Sequence, residues 1–223
     1  MKTLKVFRHE YKYVIPYEDM LKLKLKLAAV LKADRSSEGY LIRSLYFDSI
    51  NDDDYYDKLG GEINRKKIRL RIYEPNPKFV KLEMKSKYDI HQLKRSVIID
   101  RETAESIIDE NYEVLLDYDE VAKEIYTILR SELYKPKAII EYTRIAYESS
   151  AGTRITFDLD IKKSDDFDNF FAEDINYYDL TNKTDVVMEI KFDRYLEPYI
   201  ANILASYDHR LQSVSKYVMG RNE

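Results

Sequence analysis

The sequence predicts an α+β fold: a closed antiparallel β-barrel of about eight strands, with helices packed on the outside, in a single domain over residues 1–223. Three observations lead there. Most of the extended segments carry charge on one parity and a thick apolar run on the other. Four or so amphipathic segments have the helical period and can cover the apolar parities. Closure removes exposed strand edges, which is how long antiparallel sheets avoid pairing with other chains. No internal repeat, low-complexity tract or flexible linker breaks the chain.

The elements follow in order. Thr3 to Ile15 alternates, with Arg8, Glu10 and Lys12 on one parity and Phe7, His9, Tyr11, Tyr13 and Ile15 on the other. It reads as a strand ended by Pro16, and His9 as a packed histidine rather than a catalytic one. Tyr17 to Ala33 reads as a helix, because Met20, Leu23, Leu27, Val30 and Leu31 form one stripe and Leu, Lys and Ala are good helix formers. Tyr40 to Asp48 is a strand, and a short helix over Asp52 to Leu59 is closed by Gly60-Gly61. Ile63 to Lys87 is a hairpin around the turn Glu74-Pro75-Asn76-Pro77. His91 to Ile99 is another strand. Asp100 to Leu133 is helical in two pieces broken near Asn111 to Asp117, with Leu115, Val121, Ile125, Ile128 and Leu129 at helical spacing. After Pro136 come strands over Lys137 to Tyr147, Arg154 to Ile161 and Asp185 to Asp193. The acidic segment Asp165 to Asp185 between them is irregular. Pro198 suits a first helical turn, so a helix runs from there to about Tyr207. A last short helix covers Val214 to Met219 and ends at Gly220.

The hairpin organises the charge. Arg65, Lys67, Arg69, Arg71, Lys81, Lys85 and Lys87 share its polar face with Glu83 alone, while Ile68, Leu70, Ile72, Val80, Leu82 and Met84 make its apolar face. The formal net charge of the whole chain is -4, so the rest is strongly acidic. A nucleic-acid binder of ordinary type is basic overall or on an open patch, and this segregation argues against one. It suits a small, highly anionic ligand held inside. A charged face can instead look at water, the usual case for an antiparallel sheet. Composition favours the interior reading. A solvent face mixes signs, whereas here the carboxylates Glu10, Glu83 and Glu189 are isolated among Lys and Arg. Like charges on adjacent strands repel, and an anion between them offsets that cost.

The chain contains no Cys, which excludes disulfides and thiolate metal sites and is compatible with a cytoplasmic address. No apolar run has signal-peptide length or the ~20 residues of a membrane span. Five Gly in the whole chain leave no room for a P-loop or a dinucleotide fingerprint. Arg offers bidentate donors to phosphate oxygens and Lys a compact charge. With one or two carboxylates to hold a divalent cation, these residues suit a metal-bound polyphosphate or nucleoside triphosphate.

Eight motifs in order carry a family resemblance: Arg8-x-Glu10-Tyr11-Lys12-Tyr13, Ser44-Leu45-Tyr46-Phe47-Asp48, Arg69-Leu70-Arg71, Glu83-Met84-Lys85, Tyr142-Thr143-Arg144, Arg154 to Asp158, Glu189-Ile190-Lys191-Phe192 and Ser215-Lys216-Tyr217. Together they resemble the VTC domain, the polyphosphate polymerase domain of the vacuolar transporter chaperone, within the triphosphate tunnel metalloenzyme (CYTH-like) superfamily. The resemblance implies a tunnel barrel that binds triphosphate and a divalent metal, Mn²⁺ or Mg²⁺, and an enzyme that moves the terminal phosphate of ATP onto polyphosphate and releases ADP. It implies ATP, ADP, polyphosphate or triphosphate, and pyrophosphate as partners, with no nucleic acid. Carried over by motif, Arg69, Arg71, Lys85 and Arg144 would stabilise the transferred phosphoryl group. Lys12, Arg8, Lys87, Tyr142, Arg154, Lys191, Ser215 and Lys216 would bind phosphates. Glu189 would hold the metal, with Glu10 second to it. For Glu10, Asp158 and Asp160, pairing with Lys or Arg is as good a reading as metal binding. Glu141 reads as structural, and the acidic run at Asp165, Asp166 and Asp168 as a solvated loop.

Two positions depart from the pattern. Arg8 stands where the hydrolases and cyclases of the superfamily begin a Glu-x-Glu-x-Lys motif, which favours the polymerase branch. Ser213 stands where that branch often has another Lys. Two other functions stay open on these residues: hydrolysis of triphosphate or thiamine-triphosphate-like substrates, and binding of polyphosphate without catalysis.

Overall fold

The computed structural model describes residues 8–89, 91–205 and 214–221. It is an α+β structure with a large antiparallel sheet and several helices. Its contacts divide the chain into two compact units, each with its own apolar core.

The first unit comprises Met1–Leu41, Tyr142–Ile161 and Asp179–Val214. Its strands are β1 (Arg8–Pro16), β2 (Lys32–Ala33), the second half of β7 (Lys135–Glu148), most of β8 (Arg154–Ser164) and β10 (Asp185–Asp193). They run in the order β1-β10-β8-β7, with β2 added on β7. The helices α1 (Tyr17–Ala28) and α5 (Pro198–Ala205) supply Met20, Leu23, Leu27, Ile200 and Leu204 to a core that also holds Ile155, Phe157, Met188 and Ile190. Glu18 and Asp19 in the first turn of α1 suit the positive end of its dipole.

The second unit comprises Ile42–Glu141, Lys162–Tyr178 and Ser215–Glu223. Here the ladder runs from β7 through β3 (Tyr40–Asp48), β4 (Arg65–Ile72) and β5 (Phe79–Tyr88) to β6 (His91–Asp100). The helices are α2 (Asp53–Gly60), α3 (Arg101–Ile108), a 3₁₀ turn (Tyr112–Asp117), α4 (Glu120–Ser131) and α6 (Lys216–Arg221). Side chains cap two of them: the Asp100 carboxylate accepts from Thr103 N–H, and Asp119 accepts from Val121 and Ala122 N–H. The apolar parity of the hairpin (Ile68, Leu70, Ile72, Val80, Leu82, Met84) is buried against Ala104, Ile107, Leu115, Ala122, Ile125 and Leu129, as the alternation predicts.

The differences from the sequence reading have local causes. The helix expected to reach Ala33 stops at Ala28, because Lys32 and Ala33 leave it to pair with Glu148 and Tyr147. Val30 is half exposed, while the rest of the expected stripe is buried. The strand expected from Lys137 already begins at Lys135, and β8 continues to Ser164. The irregular acidic segment contains a two-residue strand, β9 (Tyr178–Asp179), paired with β8. Gly220 lies inside the last helix rather than ending it, and a Cβ there would stand 2.3 Å from Ile140 Cδ1. The start of the first strand, the end of the helix after Pro198 and Ser213 lie outside the described residues.

The closed barrel is not seen. Among the described residues both ladders stay open, with β1 and β6 as terminal strands. Exposure of an edge, the argument for closure, is met on β6 by charge instead: Lys94 is exposed there, and Arg95 is engaged by Glu124 of α4. No helix among the described residues is long and apolar enough to cross a membrane.

Candidate functional site

In the second unit the polar face of the hairpin is buried at Arg71 and Glu83, half-buried at Lys67 and Arg69, and exposed at Lys85. Ser44 and Asp48 on β3 are fully buried, and Tyr46 between them is 5% exposed. Register places Ser44 opposite Arg71 and Tyr46 opposite Arg69 on β4, and Arg69 opposite Glu83 on β5. Side chains of one parity thus form a contiguous polar surface across three strands. Glu83 is its centre, 2% exposed. Arg69 reaches Glu83 with Nη2 at 2.7 Å and Nε at 2.8 Å from Oε2; Arg71 Nε stands 3.8 Å from the same oxygen, and Lys94 of β6 holds Oε1. Burial alone would raise the Glu83 pKa. The guanidinium groups of Arg69 and Arg71 and the Lys94 ammonium outweigh it and bring it to about 2.

Lys67, Arg69, Glu83, Lys85 and Lys94 line a cavity of about 40 Å³. Four of these five residues are cations. Lys67 faces Lys85 across β4 and β5, and Lys85 faces Lys94 across β5 and β6, so a row of three ammonium groups crosses the sheet. Lys67 also donates to Ser215 Oγ at 2.9 Å and lies over the Tyr217 ring, 5.4 Å from its centroid. Tyr217 in turn donates to the Asp48 carboxylate, which accepts backbone N–H groups of Ser49, Asp54 and Tyr55. The Asp48–Tyr217 bond therefore ties α6, with Ser215 and Lys216, to β3. Lys87 sits one row further along, opposite Arg65 and Gln92.

The first unit gathers the remaining expected residues around carboxylates. Glu189 of β10 is 5% exposed and pairs in register with Lys12 of β1 and Thr156 of β8. Lys12 Nζ lies 3.0 Å from Glu10 and 3.8 Å from Glu189; Lys191 Nζ lies 3.0 Å from Glu189 and 3.9 Å from Glu10. Two lysines and two glutamates thus alternate around one point. Burial pushes the Glu189 pKa up, but Lys191 and Lys12 outweigh it and hold the carboxyl below its ordinary range, against the opposing charge of Glu10. Lys12 is half-buried, which disfavours its charge; Glu189 and Glu10 more than compensate and raise its pKa. Arg144 of β7 makes a bidentate pair with the fully buried Asp158, at 2.6 and 2.7 Å, and its guanidinium lies over the Tyr142 ring at 5.3 Å. Glu189 is 3.9 Å away. Arg154 is engaged by Asp34 and Glu148. Arg8 opposes Asp193 in the β1–β10 ladder.

Among the described residues no group of three or more His, Asp or Glu is arranged to hold a metal. Glu10 and Glu189 fit a different mode. A hard cation such as Mg²⁺ takes one or two carboxylates and fills its other positions with phosphate oxygens and water. Asp158 is committed to Arg144 and Asp160 is exposed, so neither joins them. Glu141 accepts from Arg43 at 2.7 Å and from Tyr177 at 2.6 Å, a structural role.

Sequence reasoning left Lys94 and Tyr46 out of the site. The signal for Lys94 was present: continuing the hairpin alternation into the next strand puts it on the polar parity beside Lys85. Tyr46 was hidden because an aromatic residue next to Phe47 reads as core.

Each unit of this α+β protein therefore carries a partly buried polar face of Arg and Lys set around carboxylates. The chain belongs to the VTC domain family, whose model matches residues 7–223. No curated protein matches it in sequence. Among solved structures it is similar to HpAC1 from Hippeastrum, an adenylyl cyclase candidate described as having a dominant triphosphatase activity. The identity is 15% over 95% of this chain and 94% of that one, with a TM-score of 0.56. It is also similar to an adenylate cyclase candidate from Bacillus halodurans, at 14% identity over 90% and 88% and a TM-score of 0.50. At this identity the likeness is one of fold.

Proposed function

We propose that this protein is a polyphosphate polymerase, moving the terminal phosphate of ATP onto a phosphate chain. The observation that carries the reading is the cation excess around Glu83. Arg69, Arg71, Lys67, Lys85 and Lys94 converge on that polar face, four of them lining the cavity, an arrangement that suits a polyanion. Membership of the VTC domain family supports phosphate chains as that anion.

Phosphoryl transfer asks little covalent chemistry of a protein. Positioning and charge neutralisation supply most of the rate. In this reading Arg69, Arg71 and Lys85 hold the transferred phosphoryl group and stabilise charge on its equatorial oxygens. Lys67, Lys87, Lys94, Ser215 and Lys216 bind the neighbouring phosphates. Arg144, oriented by Asp158, together with Tyr142, Lys12, Lys191, Arg154 and Arg8, serves phosphates in the first unit. Glu189 and Glu10 would hold Mn²⁺ or Mg²⁺, which when bound would neutralise phosphate charge. A terminal phosphate oxygen is already anionic, so the attack needs no general base. A cytoplasmic setting where ATP is at hand belongs to the same reading.

If water attacks in place of the chain, the same residues make a triphosphatase, the activity described for HpAC1. Incubation of the pure protein with ATP and Mn²⁺ or Mg²⁺, followed by gel separation and a free-phosphate assay, separates the outcomes. Long polymer supports the proposal. Free phosphate without polymer replaces it with hydrolysis, and unchanged ATP replaces it with binding alone.

A further inference from the structure

Tyr46 is a buried group in the second unit that the proposed chemistry does not use. Its hydroxyl accepts from Arg69 Nη1 at 3.1 Å, and the Arg69 guanidinium lies 5.7 Å from its ring centroid. The Tyr217 ring stacks on it at 5.2 Å. The charged and titratable groups facing it are Arg69, Arg71 and Lys67 from β4 and Tyr217 from α6. Glu83 of β5 lies behind Arg69, Asp48 of β3 behind Tyr217, and Tyr55 of α2 against the Tyr217 edge at 6.5 Å. The nearest full charges are therefore cations, and the nearest carboxylates are already committed to Arg69, Arg71, Lys94 and Tyr217.

We propose that Tyr46 is a positioning residue whose phenol gates anion binding: neutral, it leaves the charge of Arg69, Arg71 and Lys67 to a phosphate group; ionised, it occupies that charge itself. The inference rests on the reading of the Glu83 cavity as a phosphate site. Geometry makes the two anions compete, because the phenol oxygen touches the guanidinium assigned to phosphate. The titration falls in a useful range. Burial works to raise the Tyr46 pKa, yet Arg69, Arg71 and Lys67 outweigh it and bring it to about 8, against an ordinary 10. At pH 9 only about a tenth of the molecules hold a neutral phenol, so apparent affinity for an anion that requires it is about tenfold below its value at pH 6.5. By linkage, a bound phosphate chain moves the phenol's titration upward.

The test is binding of inorganic tripolyphosphate by calorimetry from pH 6.5 to 9 to the wild type and to Tyr46→Phe, which keeps the stacked ring and removes the ionisable hydroxyl. Titration of the ligand and of the lysines is common to both proteins and cancels in the ratio of their affinities. The expected result is that the wild-type affinity, relative to the variant, falls about tenfold across this range. Parallel pH profiles would overturn the gate while leaving the phosphate site intact. No binding by either protein at any pH would overturn the phosphate site and the gate with it. Tyrosinate absorbance of the wild type is a second readout that needs no variant. One phenol should titrate near pH 8 and move up when tripolyphosphate is added; no tyrosinate below pH 9 would also refute the gate.

Discussion

Glu83→Gln gives the sharpest test of how the cationic face is held together. The substitution keeps the shape of a buried side chain but removes the negative charge shared by Arg69, Arg71 and Lys94. The Glu83 carboxyl is brought from an ordinary 4.5 to about 2. At about 1.4 kcal/mol per tenfold, its ionised form contributes on the order of 3 kcal/mol to the folded state. The sign follows from the depressed pKa: the contribution is complete above pH 4.5 and is lost as pH falls toward 2. At pH 7 the variant should melt about 6–12 °C below the wild type, taking about 2–4 °C per kcal/mol for a chain of this size. The gap should close on acidification through that window. It should also narrow with tripolyphosphate, because the three cations released from the carboxylate bind the anion more tightly in the variant, and at saturating ligand each tenfold difference in Kd is worth about 1.4 kcal/mol. Thermal melts of both proteins at pH 7 and pH 3, with and without tripolyphosphate, decide it. A variant as stable as the wild type at pH 7, or a gap unmoved by both acid and ligand, refutes the argument.

Three further outcomes are expected. Arg71→Ala should lower polymer synthesis about 10²–10³-fold, as loss of one donor to transition-state charge does elsewhere; a loss under threefold by gel assay would remove Arg71 from the proposed chemistry. Glu189→Gln should shift the Mn²⁺ concentration for half-maximal synthesis upward at least tenfold, read by metal titration, since one of the two proposed carboxylate ligands is gone; an unchanged titration would take the metal away from this pair. Asp54 is 1% exposed, and burial, reinforced by Asp48, pushes its pKa to about 8. A carboxyl whose pKa is raised on folding destabilises progressively as pH rises from about 4 to 8. Asp54→Asn should therefore be more stable than the wild type at pH 7, by up to about 4 kcal/mol in urea titrations, and equal to it near pH 4. Identical midpoints at pH 7 would contradict the burial argument.

Much of this was legible in the chain because it is local. Alternation of side chains along a strand is stereochemistry that any register respects, so the two faces of β4 and β5 could be assigned from residue order alone. Helical spacing marked the stripes of α1 and α4 in the same way. What failed was set by distant partners. Lys32 and Ala33 have nothing in their own neighbourhood that ends a helix; the β7 edge takes them. Closure of the sheet was inferred from the need to protect edges, and β6 protects its edge with charge. Arg144 looked like a free phosphate ligand in sequence, whereas Asp158 on the next strand holds it at 2.6 Å.

By itself, then, the sequence determined the class of the fold, the two faces of each strand, the concentration of cations on one of them and the VTC domain resemblance, since each depends only on residue order. Tertiary structure alone decided which charges meet. Whether Glu83 answers Arg69 or Lys94, whether Asp158 is a metal ligand or the partner of Arg144, and whether Tyr46 is core or a neighbour of guanidinium depend on register between strands far apart in the chain. The energy of a charge in a shielded site is set by the few groups within a few ångströms of it.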